Sequence, residues 1–114
     1  VVAADAKDTE NAAKYYKKAI ELNPQDFNSY NNLGVLYIAD DVNLVNKMNA
    51  LGMSKKEQVQ YDALAKKRKE NFTLALPYFE KAYQIKPSED LKALLLNTYR
   101  NLDMDAKHKA LKNK

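Results

Sequence analysis

Tyr30-Asn31-Asn32-Leu33-Gly34-Val35-Leu36-Tyr37 is the stretch on which the fold turns. A glycine inside a helix costs about 1 kcal/mol relative to alanine, so Gly34 points to the backbone of a partner helix passing close by. Outward from this stretch, two proline-ended segments superimpose: Ala12 to Pro24 and Ala75 to Pro87 both read A-x3-[YF]-x2-A-x4-P. Ala12, Tyr16 and Ala19, like Ala75, Phe79 and Ala82, fall at i, i+4 and i+7 and share one helix face. The alanines let a neighbouring helix approach and the ring fills the space between them. Pro24 and Pro87 disfavour helical geometry in the residue before them and should end each helix.

Together these segments resemble the tetratricopeptide repeat (TPR) family, whose signature W-x2-L-G-x2-Y is met by Tyr30, Leu33, Gly34 and Tyr37 with tyrosine in place of tryptophan. Ala75, Phe79, Ala82 and Pro87 complete that repeat, and Ala12, Tyr16, Ala19 and Pro24 form the second half of the one before. The resemblance implies an all-α fold, a TPR-like antiparallel helix-pair superhelix (an α-α solenoid). It also implies a non-catalytic scaffold that holds a peptide or protein segment in a concave groove. By the family's pattern Asn28, Asn31, Asn32, Val35 and Ile38 should face that groove. They are uncharged, with an apolar end. The clamp that some chaperone-binding members use would want Lys where Asn31 stands and Asn where Val35 stands, which argues against a chaperone-tail receptor.

The spacing departs from the family. Pro24 and Pro87 lie 63 residues apart against a period of 34, leaving about 29 extra residues between Tyr37 and Ala75. Leu33, Tyr37, Leu44, Met48 and Leu51 prolong one apolar stripe, and Tyr61, Ala65, Arg68, Phe72, Ala75, Phe79 and Ala82 form another. Ser54-Lys55-Lys56-Glu57 is a capping box that would start the returning helix. The expectation is therefore one elongated helical hairpin, with helices over about 27–50 and 55–86 and a kink or break at Pro77.

The domain reading is one unit over 1–114: a partial first repeat (1–24), a complete repeat carrying the insertion (25–87), and a degenerate capping helix pair (88–114). Lys7-Asp8 sits where a TPR turn would fall, so residues 1–6 read as the tail of an earlier helix. The chain then corresponds to the C-terminal part of a longer protein of bacterial type. The nearly absent first helix would leave Ala12, Tyr16 and Ala19 partly uncovered, which makes a homodimer possible, through that edge or through the hairpin.

Composition narrows the chemistry. The chain has 114 residues, two glycines, three prolines and no cysteine, which favours helices and removes disulfides and thiolate metal sites. No apolar run reaches the 18 or so residues that span a bilayer. The net charge of +4 divides as −2 over residues 1–40 and +6 over 41–114. Lys66-Lys67-Arg68-Lys69 covers a full helical turn and fans out around it, so nucleic-acid binding is disfavoured against a solvated face. His108 is the only histidine, and no catalytic constellation, metal site or cofactor motif is expected. Ser29, Ser54 and Ser88 read as helix caps. Of the eight tyrosines, Tyr15, Tyr78 and Tyr83 lack a core slot and are expected to be exposed contact residues.

Overall fold

Why residues 6–22 make a helix follows from the packing pattern above, and its end follows from Pro24. A computed structural model describes residues 6–114, with side chains from residue 8, and shows six helices and no strand among them. They are α1 (Ala6–Leu22), α2 (Phe27–Tyr37), α3 (Asp41–Asn49), α4 (Lys55–Ile85), α5 (Glu89–Asn101) and α6 (Asp105–Lys112). Residues 1–5, on which the expected earlier helix rests, lie outside the described residues. Lys7 and Asp8 belong to α1 and form no turn.

The molecule measures 49 × 38 × 20 Å, and 20 Å is the thickness of two helix layers. α4 is the shared support: α2, α3 and α5 all pack on it, while α1 packs on α2 and α6 on α5. The chain is an all-α, TPR-like helical solenoid. Its centre is the fully buried set Leu33, Phe72, Ala75, Phe79 and Ala82, joined by Leu91 and Leu95 of α5. Gly34 is explained by this core. A Cβ there would lie 2.6 Å from Cε1 of Phe79, so only glycine lets α2 settle onto the ring. Tyr30 closes the turn before α2 by donating its hydroxyl to the carbonyl of Pro24 (3.0 Å).

Two expectations about the hairpin change. The outgoing arm is not one helix over 27–50: α2 ends at Tyr37, Ile38–Asp40 turn, and α3 begins at Asp41. The amide of Ile38 doubles back to Val35 and Leu36, Asp40 accepts from the Asn43 amide (2.9 Å), and Asp41 turns inward to Arg68. Local bonds at Ile38 and Asp40, together with the long-range pair of Asp41 and Arg68, thus outcompete continuation of the helix. α4, by contrast, runs unbroken through Pro77. Proline strands the carbonyl of Thr73, but both residues are exposed, so water can satisfy it while Phe72, Ala75 and Phe79 hold the helix on both sides of the proline.

The cap readings hold for two serines. Ser54 accepts from Glu57 N (3.1 Å) and Ser88 from Leu91 N (3.2 Å). Ser29 is not a cap; it donates its hydroxyl to Asp26 (2.8 Å), which is the residue that caps α2.

Candidate binding face

The cap at Asp26 fixes where α2 starts, and the start fixes which way each side chain turns. Ser29, Tyr30, Leu33 and Gly34 are buried against α1 and α4. Residues on the opposite side of the helix must therefore face outward. Asn28 and Asn32 are exposed, Val35 keeps 41% of its surface, and Asn31 is half-buried. Ile38 does not share this face. It is the residue that ends the helix, half-buried and packed on the core, because the turn at 38–40 draws it inward.

A second face repeats the arrangement. α5 starts 62 positions later with Ser88 as its cap, so Leu95 matches Leu33, Tyr99 matches Tyr37 and Asn97 matches Val35. Leu91, Leu95, Thr98 and Tyr99 are buried, leaving Asp90, Ala93, Asn97 and Arg100 exposed. Gly34 meets Phe79 whereas Asp41 meets Arg68, so the chain through α2 and α3 runs antiparallel to α4. α5 also runs antiparallel to it, because it starts at Glu89, just after α4 ends at Ile85, and its last residue, Asn101, reaches back to Arg68. α2 and α5 are therefore parallel, both seated on α4 and not on each other. The face of α2 carries no charge; that of α5 carries Asp90 near its start and Arg100 near its end.

Arg68 ties the far ends of these helices together. Its Nε and Nη2 donate to the two carboxylate oxygens of Asp41 at 2.7 and 2.9 Å, and Nη2 also reaches Oδ1 of Asn101 at 3.3 Å. Both charged side chains are mostly covered, which makes this bidentate pair stronger than a surface one. The hydrogen bond to Asp41 holds the guanidinium above even its ordinary high value. The sequence showed one trace of this junction, an arginine set in an otherwise apolar stripe, but neither partner. Lys69 turns elsewhere, to Asp103 (3.6 Å).

The aromatic expectations divide. Tyr15 is 72% exposed. Tyr78 and Tyr83 are half-buried against the core, which corrects their reading as exposed contact residues. Tyr78 has a slot after all: it stacks on Tyr37 at 5.9 Å, with Lys17 6.0 Å from the Tyr37 ring. Between α4, α5 and α6 lies a shallow cleft of about 270 Å³ lined by Tyr83, Leu95, Tyr99 and Leu111. Within it the Tyr99 hydroxyl donates to Glu80 (2.7 Å), which also receives Lys107 (3.2 Å). Burial, then the bond to Glu80, pushes the Tyr99 phenol well above its usual range.

Among the described residues no three His, Asp or Glu side chains converge as metal ligands, and no helix is long and apolar enough to cross a membrane. His108 is half-buried on α6.

Family models of the tetratricopeptide repeat match residues 15–58 and, separately, residues 2–26 and 63–89. The second pair of matches falls on α1 and on α4 from Ala63 onward, the two helices whose proline-ended sequences superimpose. Neither curated proteins nor solved structures give a match to this chain.

Proposed function

Because the chain belongs to the tetratricopeptide repeat family, we propose that it is a protein-interaction scaffold that holds a peptide or protein segment along the outward faces of α2 and α5. TPR repeats generally mediate protein–protein interaction; the assignment to these faces rests on the side of α2 that stays open. One observation carries it: α2 buries Tyr30, Leu33 and Gly34 on one side and leaves Asn28, Asn32 and Val35 uncovered on the other. Amide side chains donate and accept at once, so they match the backbone of a bound segment, and Val35 offers one apolar contact. With no charge on α2, binding there should change little with salt.

The test is selection of short segments from a displayed peptide library on the whole chain. Replacing Asn28, Asn32 and Val35 together with alanine should weaken the selected segments about tenfold or more without loss of helix content. Segments indifferent to that change would place binding elsewhere.

A second reading, self-association, has its own observation. Ala12, Tyr15, Ala19 and Leu22 follow spacings of 3, 4 and 3 on α1, and Tyr15 and Leu22 are exposed. Light scattering over a concentration series on wild type and Tyr15→Asp tests it; a monomer at hundreds of micromolar would refute it.

A further inference from the structure

The longest helix has a second face that neither the core nor α2 uses. Val59, Ala63, Glu70, Leu74 and Pro77 recur three, four or seven residues apart on the side of α4 opposite Phe72 and Phe79, and all are exposed. Val59 keeps 69% of its surface and Leu74 keeps 50%. About 22 Å of helix separates them at 1.5 Å per residue. Lys55 and Lys56 flank this stripe at its start, and Lys66 and Lys67 flank its middle.

The nearby acids make no ion pair with those lysines. Asp41 is taken by Arg68 and Asp103 by Lys69. Glu57 is bound to the Gly52 amide and to Ser54, and Asp62 to Gln58. Glu70 is the one acid left on the stripe, against four lysines that make no ion pair among the described residues.

The geometry points to a second docking surface: the outer face of α4 takes an acidic amphipathic helix of another protein. Such a helix would lay apolar side chains against Val59, Ala63 and Leu74 and carboxylates against Lys56, Lys66 and Lys67. Nucleic acid would leave the exposed valine and leucine unused. A bilayer surface calls for a broader apolar stripe than Val59, Ala63 and Leu74 make. The face lies away from α2, so this surface stands independently of the groove reading, and both could be filled at once.

The experiment is selection from a displayed library of amphipathic helices on the whole chain at low salt, repeated on K66E/K67E, on V59D, and on the triple alanine variant of Asn28, Asn32 and Val35. All the altered positions are solvent-exposed, and circular dichroism checks that each variant folds. The expected result is enrichment of helices with Glu or Asp beside an apolar stripe. Their binding should fall about tenfold or more in K66E/K67E and in V59D, and likewise between about 50 and about 300 mM salt, yet survive in the groove variant. The proposal is overturned if no helix is enriched, if enriched helices depend on α2 instead, or if phosphatidylglycerol vesicles or duplex DNA bind through Lys66 and Lys67 while helices do not.

Discussion

The two ends of α4 are held by different chemistry. Its latter half packs ring into gap, with Phe79 under Gly34 and Ala75 and Ala82 letting neighbouring helices close in, and every one of these positions except Gly34 is completely buried. Its first half, beyond Phe72, meets α3 through Leu44 and Met48, then relies on polar contacts: Arg68 with Asp41, and the cap of Ser54 and Glu57 with Gly52. The difference teaches that one continuous helix can belong to two structural regimes. Apolar packing supplies global stability around α2, whereas directional bonds set where the hairpin points.

Breaking the packed end should cost most. Phe79→Ala removes a fully buried ring and should destabilise the whole chain by about 3–5 kcal/mol in urea unfolding. A loss under about 1 kcal/mol would mean that the body is not the stable unit. Arg68→Met leaves the mostly covered Asp41 carboxylate without its partner, and a cost of about 2 kcal/mol is expected, below that of a fully buried pair. Amide exchange should quicken at 41–49 and 97–101 before it does in α2; unchanged rates there would deny Arg68 its tying role. Gly34→Ala gains about 1 kcal/mol of helix propensity but forces the Phe79 ring aside, for a net loss of about 1–2 kcal/mol. Phe79→Leu in the same chain should reduce that loss, and strict additivity of the two would show that they do not touch.

The smallest effect belongs to the hairpin tip. The Gly52 amide, then Ser54, lowers the Glu57 carboxyl below its ordinary 4.5. A depressed folded value means that the tip contact is present above the ordinary carboxylate range and is lost as pH falls through the lowered value. The amide resonance of Gly52 should move with a midpoint below 4.5, and Glu57→Gln should abolish that movement with little change in overall unfolding. A midpoint at or above 4.5 would show that the tip is open.

Much of this was legible in the residues. Tyr30, Leu33 and Gly34 on one side, and Ala75, Phe79 and Ala82 on the other, announce two helices in close contact, because small and large side chains alternate at helical spacing. The capping box at Ser54 was equally plain. The break at 38–40 was hidden for a geometric reason. Leu33 and Leu44 are eleven residues apart, close to three full turns, so the apolar stripe stays in phase whether or not the helix is interrupted. Asp40 beside Asp41 was the available signal, since short acids bond their own backbone neighbourhood more readily than they extend a helix. Arg68 shows a second limit: periodicity placed it on the inward side, but a partner 27 residues away leaves no mark at that spacing. Of the proposed binding face, Asn28, Asn32 and Val35 lie exposed on the outer side of α2 with Asn31 half-buried beside them, whereas Ile38 fell to the unseen break.

The most direct measurement of the account's central claim is backbone amide NMR of the whole chain titrated with a library-selected segment. If the outward faces of α2 and α5 form the groove, resonances at Asn28, Asn32 and Val35 should shift together with those at Ala93 and Asn97, while the outer face of α4 around Val59 and Leu74 stays unmoved. Shifts confined to α3, the hairpin tip or the cleft beside Tyr99, with α2 silent, would contradict it.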